Sequence, residues 1–314
     1  MREVVTHIDA AQWAELMRES RYASWWQSAA CWAYLSACRE TQPICVGVKR
    51  DGALRGVALG YIVGWRGISA RAIFNAGPLL ATDITHDELQ MLLSAVDEAM
   101  QRERVIYAEM RNFADYSCWK SGFLEAGWTY KPHYDVWLDV AENQDARIHE
   151  TQSRKLRRAQ DDGQTWRELR YSAENEPLFD AWYNLLSELY RRKVRKPLMQ
   201  RESLMAAWRG GVPLLVVEKD AQVIGGVLVP HTEDIAYEWY ICGPTMVTYA
   251  MMQWCLQQGI PHIDMMGAGE PGKVYGVRDF KLQMGGTLHE WGRYLRVYAP
   301  WRYRLGEVAI RLRG

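Results

Sequence analysis

The residues from Asp264 to Gly286 gather what acyl-group or phosphate chemistry would ask for. Residues 261–266 read as a short buried strand carrying Asp264 at its end, and Gly267, Gly269, Pro271 and Gly272 then break all regular structure. Residues 275–284 can form a short helix, stopped by Gly285 and Gly286. Arg278 and Lys281 are three apart, so that helix sets both on one face, partly exposed. An acid, a glycine-rich loop and two cations suit an anionic group or a developing oxyanion. A solvated loop with two surface cations would carry the same residues, so the rest of the chain must discriminate.

Other residues offer complementary chemistry. Glu238 and Glu109, like Asp264, fall on strands where a carboxylate could take a proton from an attacking amine. Two basic clusters, Arg154 to Arg158 and Arg191 to Lys196 (with Arg192), could meet phosphates of a nucleotide or of RNA. Tyr190, Tyr237 and Tyr240 can orient a sugar or peptide, or pack a core. No G-x-S-x-G elbow, H-E-x-x-H pair or P-loop lysine occurs, and the seven histidines are scattered, so neither a metal nor a bound cofactor is expected.

The elements that must position these residues can be read from pattern. At 314 residues, 48% apolar and 24% charged, the chain can bury two ordinary cores without disulfides. Formal net charge is zero, so only local patches can attract nucleic acid or anionic lipid. The N-terminus has no apolar signal core, no run of about 18 apolar residues exists, and the six cysteines form no C-x-x-C pair, which reads as a cytoplasmic chain. Helices are expected within 10–40 and over 86–102 (entered through Thr85), 117–126, 151–160, 175–192 and 245–258. Strands are expected over 105–110, 134–140 and 235–242, with hairpins turning at Asp51–Gly52 and near Asp220.

The pattern runs twice. Residues 48–56 lie over 217–225 without a gap, 106–109 over 261–264, and each copy then has a short helix with Phe123 or Phe280, a glycine stop and a last strand. A duplicated hairpin–helix–strand unit explains this, with domains at 1–146 and 147–314, joined by the polar stretch 141–150. Leu124 follows Phe123 where Lys281 follows Phe280, so a single cationic site is expected, in the second copy.

Such a unit resembles the GNAT acyltransferase fold, and two in tandem resemble the FemAB family of peptidoglycan bridge-forming aminoacyltransferases. The resemblance rests on Trp26, Gln27, Ser28 and Trp32; on Gly77 and Pro78; on Arg154, Lys155, Leu156, Arg157, Arg158, Ala159 and Gly163; on Tyr237 to Gly243; and above all on Tyr275, Gly276, Val277, Arg278, Asp279, Phe280, Lys281, Gly285 and Gly286. It implies an α/β (α+β) fold of two GNAT-like units with mixed sheets flanked by helices. It implies aminoacyl-tRNA as donor and an amine of a nucleotide- or lipid-linked muropeptide precursor as acceptor, in a monomer close to the membrane. In that reading Lys281 stabilises the oxyanion beside Phe280, Asp264 joins them, and Arg278, Tyr240, Glu238, Tyr190, Arg192, Lys196, Arg154, Arg158 and Tyr275 bind substrate. No charged coiled-coil arm interrupts the second copy, and Met284 stands where an aromatic is common.

Two other readings remain open. A tandem GNAT enzyme could use acyl-CoA on a small amine, although the R/Q-x-x-G-x-G/A pyrophosphate loop is absent before the helix after Gly243. A protein without turnover could simply bind a wall precursor. The tail mixes Trp301, Leu305, Val308, Ile310 and Leu312 with Arg302, Arg304, Arg311 and Arg313, a composition that can lie on an anionic membrane or pack back on the first copy.

Overall fold

A computed structural model describes residues 1–311, with side chains to Val308; Leu312 and Arg313 of the tail lie outside the described residues. Two compact units form: residues 1–132 with 291–311, and residues 133–290. This division differs from a boundary at 146. The strand Tyr134–Asp139, last of the first copy, sits in the second unit's sheet between His262–Gly267 and Thr287–Glu290. Reciprocally, Arg293–Val297, last of the second copy, lies in the first unit's sheet between Tyr107–Arg111 and Thr129–Lys131. The two copies exchange their final strands.

Both hairpins form, and they share a defect. Gln42–Arg50 pairs with Ala53–Val63, and the register slips between Val48 and Lys49. Leu214–Lys219 pairs with Gln222–Leu228, and it slips at the matching place, between Val217 and Glu218. Both turns take two positive-φ residues, Asp51 (50°) and Gly52 (82°) in one, Asp220 (52°) and Ala221 (59°) in the other. That is the twist a two-residue hairpin requires.

In the first unit Thr85 and Glu88 form a reciprocal cap that starts the helix His86–Arg102. It buries Leu89, Leu92, Leu93, Val96 and Met100. The strand Arg71–Asn75 pairs with the hairpin on one side and, in parallel, with Tyr107–Arg111 on the other. After a break at Ala76 and Gly77 the chain rejoins the hairpin at Leu79–Leu80. Gln27, fully buried, fills that break: its amide bonds the carbonyls of Leu59 and Asn75 and accepts from the Leu59 N–H. The Tyr116 hydroxyl reaches the carbonyls of Ala76 and Pro78.

The corresponding strand of the second unit is also broken, and there the sheet parts. Residues 235–242 read as one strand but form two: Ile235–Tyr237 pairs in parallel with His262–Gly267, whereas Trp239–Cys242 pairs with the hairpin. Tyr240 sits at φ 51°, and the result is two four-stranded sheets diverging at Glu238. The helix Met246–Gln258 packs on the hairpin, and its Val247, Ala250, Met251 and Cys255 enter the core. Among the described residues no helix is long and apolar enough to cross a membrane.

Candidate active site

The site forms where the second unit's sheet parts. Asp264 lies within its strand rather than at the end, opposite Tyr237 and Trp137. Just beyond it the register shifts before Gly267, a bulge with Met266 at φ 65°. Asp264 Oδ1 accepts from the Met266 N–H at 2.6 Å, which holds that conformation. The bulge turns three successive carbonyls, those of Met265, Met266 and Gly267, to one side.

Lys281 donates to all three, at 3.0 Å for Met266 and for Gly267. It comes from the helix Gly276–Gln283, stopped by Gly285 at φ 95°; a side chain at Gly286 would run into Val136. The expectation of a partly exposed lysine is therefore corrected: Lys281 is 5% exposed, and its three N–H groups are spent on backbone. To bind an oxyanion it would have to release a carbonyl. Burial lowers its pKa, while Glu238, Asp135 and Asp264 pull the other way.

Glu238 stands at the strand break, 6% exposed; its N–H donates to the Asp264 carbonyl and its carboxylate accepts from Thr248 Oγ1 at 3.2 Å. Burial raises its pKa to about 7, against the opposing pull of Lys281 and Thr248. Asp264 is also raised to about 7, chiefly by burial, with Glu238 adding to the effect and the Met266 N–H and Lys281 opposing it. Two carboxyls raised toward neutrality beside a cation are what general acid–base chemistry requires. Asp135 and Thr248 complete the group, and sequence pattern did not single them out. Asp135 alternates with buried Val136 and so reads as facing solvent; inclusion of its strand in mid-sheet buries it.

The first unit's counterpart differs in each respect. Glu109, the match of Asp264, is bound by Arg111 (2.8 Å) and Arg293 (3.0 Å). Burial alone would raise it, but the two guanidiniums outweigh that and hold its pKa down at about 2. It is an ion-pair member and not a base. Leu124, the match of Lys281, is exposed, and the strand break is filled by Gln27.

The remaining expected residues divide. Phe280 packs against the second unit's core. Tyr190 and Tyr240 come together, ring centres 6.0 Å apart, with Trp239 4.7 Å from Tyr240 and Tyr275 close enough to act on Tyr190. Tyr237 is core, 2% exposed. Arg278, expected on phosphate, instead ties its own loop: it donates to the carbonyls of Ala268, Glu270 and Lys273 and lies 5.1 Å over the Tyr134 ring. Arg192 and Lys196 are exposed around a π-helical turn, Tyr190–Val194, where Arg192 meets Glu188 at 2.6 Å. Arg154 is exposed near Glu150 (3.7 Å). On the same helix, Lys155 and Arg158 flank a groove of about 540 Å³ with Pro244, Thr245 and Met246 at the start of Met246–Gln258.

No protein-family model matches the sequence, and no curated protein matches it. Solved structures do. FemX is similar at 14% identity over 96% of this chain and 99% of its own, with a TM-score of 0.73. L-PGS from Bacillus licheniformis is similar at 12% identity over 93% and 92%, with a TM-score of 0.60. A tandem GNAT protein from the clavulanic acid biosynthesis pathway is similar at 12% identity over 95% and 98%, with a TM-score of 0.57. The chain has the α/β tandem GNAT fold.

Proposed function

We propose that this protein is an aminoacyltransferase that moves an amino acid from aminoacyl-tRNA to an amine on the stem peptide of a peptidoglycan precursor. One observation carries the reading: Glu238 and Asp264, both raised to about 7, lie beside Lys281 at the parted strand of one copy only. Aminolysis of an ester needs a neutral amine. The amine nitrogen attacks the ester carbonyl, its proton passes to Glu238, the bond to the ribose oxygen breaks, and that oxygen takes the proton back. Lys281 holds the carbonyl bulge and supplies a positive field to the site, and Phe280 anchors its helix to the core. Tyr190, Tyr240 and Tyr275 hold peptide or sugar. Arg154, Arg158, Arg192 and Lys196 meet phosphates of the tRNA or of a nucleotide-linked precursor. The work is cytoplasmic, where both substrates are made.

The likeness to FemX along nearly the whole of both chains supports this reading, as do the motifs from Tyr275 to Gly286. The test is transfer by the purified chain from a panel of charged tRNAs, from acetyl-CoA, and with precursor alone. Transfer from a charged tRNA is expected, and Glu238→Gln should slow it about 100-fold or more while the fold persists. Transfer from acetyl-CoA alone would replace the donor. Precursor binding with no turnover from any donor would make the protein a binding module.

A further inference from the structure

The first unit carries an exposed apolar and cationic surface that the transfer site does not use. The loop after Ala53–Val63 is tied tightly: the Trp65 carbonyl accepts from the N–H groups of Ile68, Ser69 and Ala70 at 2.9, 2.9 and 3.0 Å. It nonetheless leaves Trp65 75% and Ile68 70% exposed. The helix Pro300–Arg311 is docked beside it. Arg302 donates to the Gly67 carbonyl, and Tyr303 packs edge-to-face on Tyr107 with ring centres 5.2 Å apart. The face away from Tyr303 holds Trp301, Leu305 and Val308, spaced by four and three, and all three are more than half exposed. Segments more than 200 residues apart in sequence thus place large apolar groups on one surface, where soluble proteins seldom gather them.

Arginines surround those groups. Arg66, Arg104 and Arg302 line a groove of about 590 Å³ between loop and helix, and Arg304 flanks Trp301 and Leu305. The acids on these same segments are Glu103, which Arg66 meets at 3.7 Å, and Glu307. Tryptophan and aliphatic side chains ringed by arginine match a bilayer interface with an anionic headgroup layer. A second copy fits less well, because a two-fold contact would press the same arginines together. Nucleic acid would satisfy the arginines but leave Ile68, Leu305 and Val308 in water.

We infer that the loop 64–69 and the helix Pro300–Arg311 form a docking surface for an anionic phospholipid bilayer. The surface shares no residue with the transfer site and does not depend on which donor that site uses.

Co-sedimentation of the full-length protein with vesicles tests it, using phosphatidylcholine alone and phosphatidylcholine mixed with phosphatidylglycerol, at low and high salt. Thermal melts accompany every variant. Wild type should pellet with the phosphatidylglycerol vesicles, and salt should release it. Arg66→Gln with Arg304→Gln should weaken partitioning roughly 25-fold, about fivefold for each arginine near an anionic surface. Trp65→Ser with Trp301→Ser and Leu305→Ser should abolish pelleting while the fold stays intact. Pelleting of that triple variant at the wild-type level would overturn the inference, as would equal pelleting with phosphatidylcholine alone. So would a concentration-dependent dimer, or a complex with tRNA, that the triple variant loses while vesicles bind neither protein.

Discussion

At the scale of single residues, Lys281 lies within electrostatic reach of Glu238 and Asp264, and burial changes what each of them can do. Lys281 and Phe280 were legible because a motif spans them. Nothing local marks Lys281 as interior, since a cation three residues from Arg278 on a short helix reads as solvated. Three carbonyls from a bulge some 15 residues earlier take it inside. Lys281→Met should therefore destabilise the protein by roughly 3 kcal/mol or more, because three buried carbonyls lose their donor at about 1–3 kcal/mol for each group left unsatisfied. Glu238→Gln should cost less in that background than in wild type, a coupling that denaturant titration of both single variants and the double would read. The carboxyls also set a pH dependence. Unfolded, they titrate near 4; folded, Glu238 and Asp264 are raised to about 7. The native state thus holds their protons longer, and their contribution is fully present below about pH 4 and lost as pH rises through about 7. Melting temperature should fall from about pH 5 to about pH 8, and less so in Glu238→Gln. Parallel profiles for the two proteins would remove the titrating pair from the account.

At the scale of elements, the duplication was readable in the hairpins, and their shared register slip supports it beyond sequence likeness. The two turns allow a paired prediction. Ala221 adopts the left-handed conformation that Gly52 adopts in the first copy, with a Cβ that penalises it. Ala221→Gly should gain about 0.5–1 kcal/mol and Gly52→Ala should lose a similar amount. Equal signs in chemical denaturation would mean the turns are not equivalent. The break at Glu238 was not legible. Aromatic and apolar residues flank Glu238 from Tyr237 to Cys242 without a turn signal, and an aromatic such as Tyr240 at positive φ is not something a pattern announces. The strand Thr165–Leu169 and the helix Arg201–Arg209 carry no clear pattern either. The first is short and rich in charge, and the second follows a basic run that hides its start.

At the scale of the whole molecule, the domain count followed from length and repetition, but the boundary did not. Periodicity shows that residues form a strand; it does not say which sheet the strand enters. Tyr134–Asp139 and Arg293–Val297 both look like the last strand of their own copy, and each completes the other copy's sheet. A chain ending at Glu290 should therefore keep residues 133–290 folded and lose the first unit. Fast amide exchange through Tyr107–Arg111 and Thr129–Lys131 would report this, and a peptide of residues 291–314 added in trans should restore protection. Full protection without the peptide would show that the first unit stands without its borrowed strand.

The exchange also fixes an order of completion during synthesis. The second unit is continuous in sequence and can close once residue 290 has emerged. The first unit, made earlier, keeps an open slot beside Tyr107–Arg111 until Arg293–Val297 follows. At translation rates of about 5–20 residues per second that wait is roughly 10 to 30 seconds. Throughout it an unpaired strand edge is available to any neighbouring chain. The half made first is the half finished last, and the newly made protein is most exposed to mispairing in that interval.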